Sequence, residues 1–110
     1  MRLEKIKIIR KKLQKNLATI GTWQQIPHAS ISEILGQAGY DWVAVDIEHG
    51  SIGLDQLPDL FRAIELGGAL PLARIAESKP KDCKQALDTG AGGIIAPMIE
   101  NAEQLKMVRN

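Results

Sequence analysis

The sequence predicts an α/β fold with parallel strands: part of an eightfold strand–helix barrel, in which an N-terminal helix precedes four strand–helix units. Three observations predict it. Short apolar, β-prone runs alternate with segments whose apolar residues recur every three or four positions, and strands joined by single helices form right-handed parallel crossovers. No G-x-G-x-x-G follows the first strand, where Gly21-Thr-Trp23 runs into two glutamines, so the dinucleotide-binding open sheet is set aside. A complete (β/α)8 barrel of the TIM type takes roughly 250 residues, and a 110-residue chain of four units reads as about half of one. The expected organisation is a single incomplete barrel domain over 1–110, with a helix over 1–15 and the units over 17–110.

The elements follow in order. Leu3, Ile6, Ile9 and Leu13 are spaced as the inner stripe of an amphipathic helix whose lysines face solvent. Residues 17–23 are β-prone, and 24–27 read as a loop broken by Pro27. Residues 30–38 place Ile31, Ile34 and Leu35 on one helical face, with Gly39 positioned to close the helix in left-handed geometry. Residues 42–47 are apolar on both faces, as a buried parallel strand requires. A helix over 54–66 carries the stripe Leu57, Leu60, Phe61 and Ile64 and stops at Gly67-Gly68. The strand over 69–75 contains Pro71, which fits near a strand's beginning, where a missing donor matters least. Ser78 can cap a helix that has Pro80 in its first turn, runs to Asp88 and meets Gly90. A strand over 92–98 and a helix over 102–108, capped by Asn101, complete the pattern.

Composition narrows the function. A formal net charge of +1, from 14 basic and 13 acidic residues, provides no global field for nucleic acid or an anionic membrane. The cationic start lacks an unbroken apolar core and a small-residue cleavage site, and no apolar run reaches spanning length. Cys83 alone allows neither an internal disulfide nor a thiolate metal cluster, which fits a reducing cytoplasm.

The chemistry concentrates where apolar strands end. In such barrels the carboxyl ends of the strands form the active-site mouth. The apolar run that begins at Trp42 turns ionisable at its end, with Asp46, Glu48 and His49. A histidine among carboxylates can be held in one tautomer for proton transfer near neutral pH, although a capped turn with a surface histidine has the same spacing. Arg74, at the end of the next strand, is costly among apolar neighbours unless it meets an anion. That anion is either a substrate carboxylate or enolate oxygen, or a structural acid. Trp23 and Gln25 lie where the first strand empties into its loop, which places them at the same mouth or, for Trp23, in the core. His28 reads as a loop or helix-start residue, Cys83 as a small buried hydrophobe and Asp88, from spacing alone, as a surface group.

Taken together, Gly21-Thr-Trp23, residues 38–42 leading into 46–49, Leu72-Ala-Arg74, Leu87-Asp-Thr-Gly90, Ala96-Pro-Met98 and Asn101-Ala-Glu103 resemble the HpcH/HpaI-type class II pyruvate aldolases. Members cleave 2-keto-4-hydroxy acids such as 4-hydroxy-2-oxoheptanedioate and 2-dehydro-3-deoxyglucarate. The resemblance implies a phosphoenolpyruvate/pyruvate-superfamily barrel, usually hexameric, that uses Mg²⁺, Mn²⁺ or Co²⁺ as a Lewis acid on a pyruvate unit. It implies that His49 transfers the proton of the C4 hydroxyl through water, that Asp88 orients His49, and that Arg74 binds the pyruvate oxygen and stabilises enolate charge. Asp46 and Glu48 would support the metal–water network without ligating it. The family's direct ligands, a glutamate and an aspartate, come from strands after the fourth, so no metal ligand is expected in this chain; Glu100 and Glu103 do not match those positions.

The leading expectation is therefore the N-terminal part of a metal-dependent keto-acid aldolase, a homo-oligomer acting on a small keto acid. The alternative is a non-catalytic half-barrel that associates with itself or complements another chain through unpaired strand edges and an uncovered apolar interior. A small-anion-binding module built on Arg74 is a third reading, without a phosphate-loop motif to support it.

Overall fold

A computed structural model describes residues 2–47, 52–75 and 80–95. Its elements run α1 (Arg2–Gln14), β1 (Gly21–Gln24), α2 (Ala29–Gln37), β2 (Trp42–Asp46), α3 (Leu57–Leu66), β3 (Leu70–Arg74), α4 (Pro80–Asp88) and β4 (Gly93–Ile95). The strands form one four-stranded parallel sheet in the order β1-β2-β3-β4. Sequential order with right-handed crossovers puts the connecting helices on one face of the sheet, the arrangement of part of a (β/α)8 barrel.

Alternation along the strands divides the core from the site. Val43, Val45 and Ala73 face the helices and pack with Leu57, Leu60, Phe61 and Ile64 of α3, all of them 2% exposed or less. Ala44, Asp46 and Arg74 alternate with that set and so turn to the other face. Register holds the tips level, with Asp46 opposite Arg74. Pro71 lies one residue before the β3–β4 pairing begins at Leu72, where its missing N–H interrupts no ladder bond.

Four expectations are corrected. The expected inner stripe of α1 does not reach the core: no α1 residue is buried, and Leu3 and Leu13 are 64% and 59% exposed. The helix docks by its charges instead. Asp41, nearly buried just ahead of β2, accepts from Lys12 Nζ at 2.8 Å and from the Ile20 backbone N–H at 2.9 Å, with Lys5 Nζ at 3.7 Å. Arg2 pairs with Glu65 and also donates to the Gly90 carbonyl. A sequestered carboxylate needs donors more than a weakly amphipathic helix needs to bury its leucines. The Lys12 hydrogen bond, aided by the Ile20 N–H and the charges of Lys12 and Lys5, outweighs burial and holds the Asp41 carboxyl below its ordinary range.

Second, β1 begins at Gly21 rather than at residue 17, because the backbone N–H and C=O of Ile20 are both engaged with Asp41 outside the ladder. Gln24 consequently belongs to the strand and not to the loop. Third, the inner face of α2 carries Ser32 and Gly36 as its buried residues, while Ile34 is 64% exposed. A Cβ on Gly36 would stand 2.7 Å from the Ile64 carbonyl oxygen, so this glycine permits the close approach of α2 to α3. Fourth, α3 starts at Leu57 instead of 54, after a turn in which the Gln56 side chain accepts from the Gly53 N–H at 2.9 Å. The predicted helix over 102–108 and the end of the predicted fourth strand lie outside the described residues.

Candidate active site

At the carboxyl tips of β2 and β3, Asp46 and Arg74 form an ion pair. Asp46 is wholly inaccessible and the Arg74 side chain is 24% exposed. Arg74 Nε donates to Asp46 Oδ1 at 3.2 Å while Nη2 bonds Oδ2, a two-pronged contact that fixes the guanidinium plane. Gln25 Nε2 donates to the same Oδ2 at 3.0 Å. Over the other side of the guanidinium lies the Trp23 ring, with its centroid 4.3 Å from Cζ, and Trp23 is itself braced edge-on by Trp42 at 5.9 Å and 80°. Trp42 can lie there because Gly21 has no side chain: a Cβ would fall 2.0 Å from the indole.

Of the residues singled out from sequence, the structure brings Asp46, Arg74, Trp23 and Gln25 together. A cavity of about 430 Å³ opens there, lined by Trp23, Gln25, Ile26 and Arg74. Trp23 is 41% exposed, so it belongs to this mouth and not to the core. Glu48 and His49 lie outside the described residues. Asp88 is exposed on the last turn of α4; because α4 runs back from the tips of the sheet, that turn stands near the start of β4, at the opposite end from Arg74. Within one chain the fold does not bring Asp88 to the mouth. His28 caps α2, its Nδ1 accepting from the Ser30 N–H at 3.0 Å. Cys83 is buried in α4, and burial, with the Asp82 charge, pushes its thiol up.

Two residues that the sequence reading missed stand behind the mouth. Gln24 is 1% exposed and Ser32 0%, and Ser32 Oγ donates to Gln24 Oε1 at 2.7 Å. Had the strand been placed at 21–24, alternation would have turned Gln24 into the core and demanded a partner for its amide.

A second cavity, about 310 Å³ and lined by residues including Glu4, Lys5 and Glu65, sits at the other end of the sheet, where α1 docks. The Arg2–Glu65 pair there is about one-third exposed, in contrast to the sequestered pair at the tips. Among the described residues no three His, Cys, Asp or Glu side chains group to hold a metal ion. Both oxygens of Asp46 accept from Arg74 and Gln25, so this carboxylate is not presented as a ligand.

The family model for HpcH/HpaI aldolase/citrate lyase matches residues 19–110. The chain belongs to that family. A Pseudomonas putida 2-dehydro-3,6-dideoxy-6-sulfogluconate aldolase is 42% identical to this HpcH/HpaI chain over 94 residues, covering 86% of it and 37% of the relative. A hydroxypyruvate/pyruvate aldolase of Agrobacterium fabrum is 39% identical over 85 residues, covering 77% and 32%. Among solved structures, the citrate synthase SbnG superposes with a TM-score of 0.79 at 31% identity, over 89% of this chain and 40% of that one. An HpcH/HpaI aldolase from Desulfitobacterium hafniense gives 0.78 at 27%, over 90% and 39%. The chain thus spans between about 30% and 40% of the length of these relatives.

Proposed function

We propose that this chain is the keto-acid-gripping part of an aldolase that cleaves a 2-keto-4-hydroxy acid, of the 4-hydroxy-2-oxoheptanedioate or 2-dehydro-3-deoxyglucarate type, into pyruvate and an aldehyde. The observation that carries this is the guanidinium of Arg74, clamped by a buried carboxylate and a tryptophan face at the mouth of an HpcH/HpaI half-barrel. Loss of the C4 hydroxyl proton lets the C3–C4 bond break; its electron pair becomes the enolate of pyruvate, which is then protonated at C3. A preorganised cation at the C2 oxygen lowers the cost of that charge. Arg74 fills this role with Trp23 and Gln25 lining the cavity, Asp46 holds Arg74, and Glu48 supports from the following residues.

His49 is the proposed proton acceptor, oriented by Asp88. Since Asp88 sits at the far end of its own sheet, that role requires a second copy of the chain to supply it, in keeping with a homo-oligomer. The divalent ion that the family implies, Mg²⁺, Mn²⁺ or Co²⁺, finds no ligand set among the described residues. No helix among the described residues is long and apolar enough to cross a membrane, and a cytoplasmic setting is proposed.

The test couples pyruvate release to lactate dehydrogenase with added Mn²⁺. Activity that falls in Arg74→Ala and His49→Ala supports the reading; activity surviving both removes it. A second reading, an associating half-barrel, is favoured by Trp23, Trp42, Leu72 and Ile95, which remain at least partly exposed on the helix-free face. It predicts a defined dimer or larger species by light scattering and no pyruvate release.

A further inference from the structure

β1 ends on Gln24 and Gln25 follows it directly, and alternation sends the two side chains to opposite faces of the sheet. Gln25 meets the carboxylate of Asp46, while Gln24 is sealed between the sheet and α2. A buried primary amide is costly unless both of its N–H bonds and its carbonyl are used. Gln24 uses them all: Nε2 donates to the carbonyls of Ile26 at 2.8 Å and His28 at 3.2 Å, and Oε1 accepts from Ser32 Oγ at 2.7 Å. One side chain therefore ties the end of β1, the loop over 25–28 and the first turns of α2 to a common point. That loop holds Gln25 against Asp46 and Ile26 at the rim, and Trp23 is the residue immediately before the knot. The apolar core does not supply this restraint, because Gln25 and Ile26 are both exposed and reach the site from a four-residue connection.

We infer that Gln24, locked by Ser32, is a positioning residue of the keto-acid site: its amide sets the β1–α2 loop so that Gln25 and Trp23 hold the Asp46–Arg74 pair in one geometry. This rests on the proposed aldolase reading only in naming the ligand; the restraint on Arg74 is independent of it.

The test reads the Arg74 Nε–H signal of the ¹⁵N-labelled chain, assigned through Arg74→Lys. Arg2 Nε, paired with Glu65 at 2.9 Å at the other end of the sheet, is the internal control. In Gln24→Met the Arg74 Nε–H exchanges about tenfold faster and binds added pyruvate about tenfold more weakly, while Arg2 Nε is unchanged, as the loss of buried hydrogen bonds at one end predicts. Ser32→Ala, which leaves both loop bonds in place but unlocks Oε1, gives about a threefold effect in the same direction. If Gln24→Met does not fold, Ser32→Ala decides. Equal acceleration at both arginines, or no change at Arg74 in the folded variants, overturns the inference. A wild-type Arg74 signal indifferent to pyruvate, with exchange still accelerated in Gln24→Met, sinks the aldolase reading and leaves the positioning role standing.

Discussion

Replacing Arg74 with methionine and Asp46 with leucine, singly and together, should give strongly unequal costs. Removing one partner of a buried ion pair usually costs about 3–5 kcal/mol, because the other charge is left without compensation. Asp46 has no exposure at all, but in Arg74→Met it keeps the Gln25 hydrogen bond, and loss of the guanidinium widens the cavity that Arg74 lines, which lets water approach. The expected loss is therefore about 2–3 kcal/mol, at or just below the lower end of that range. In Asp46→Leu the arginine, already 24% exposed and stacked on Trp23, can turn to solvent at a loss of about 1 kcal/mol. The double variant buries no charge and should lie within about 1 kcal/mol of the parent, giving a coupling of about 2 kcal/mol. Urea denaturation followed by circular dichroism at neutral pH measures all four proteins. Equal losses in the two single variants, or a double variant as unstable as their sum, would refute the argument from unequal burial.

Three further outcomes are expected. Gly36→Ala forces a methyl against the Ile64 carbonyl oxygen, 2.7 Å from the ideal Cβ position, and should cost about 1–3 kcal/mol with a lower urea midpoint. Because pairing lowers the folded-state carboxyl of Asp41 from 3.8, its contribution is fully present above that value and is lost as pH falls through the depressed folded value. Stability should therefore drop in the parent as pH falls below about 4 and change less in Asp41→Asn, as urea midpoints measured through the acid range will show. Cys83, buried with its thiol pushed up, should react with a thiol-specific reagent at pH 8 far more slowly in the native protein than in denaturant; equal rates would place it at the surface.

The parts of the fold legible in the chain were those governed by one dominant force. The unbroken apolar run of β2 and the four-residue stripe of α3 state their burial directly, and Asp46 and Arg74 stand out because an ionisable group ends each apolar strand. What was not legible depended on partners distant in sequence. The orientation of α1 is decided by Asp41 and Glu65, neither of which marks itself as an anchor, and the same Asp41 delays the start of β1 by engaging Ile20. Ser32 and Gly36 displace Ile34 from the inner face of α2 for reasons found in β1 and α3: a glutamine needing a donor and a carbonyl needing room. Asp88 follows the same rule, since its position relative to the mouth depends on which way α4 runs.

Strand β2 has an acid just ahead of it and another at its tip. Asp41 tethers the opening helix, Asp46 orients a guanidinium, and the five residue steps from one to the other span about 16 Å at strand spacing. Each acid is also neutralised on the spot, by Lys12 and Lys5 at one end and by Arg74 at the other, so neither presents a bare charge to its counterpart. The two ends are consequently insulated from one another: the lysines around Asp41 can be exchanged to alter solubility or acid tolerance while the cation at the opposite pole is left untouched.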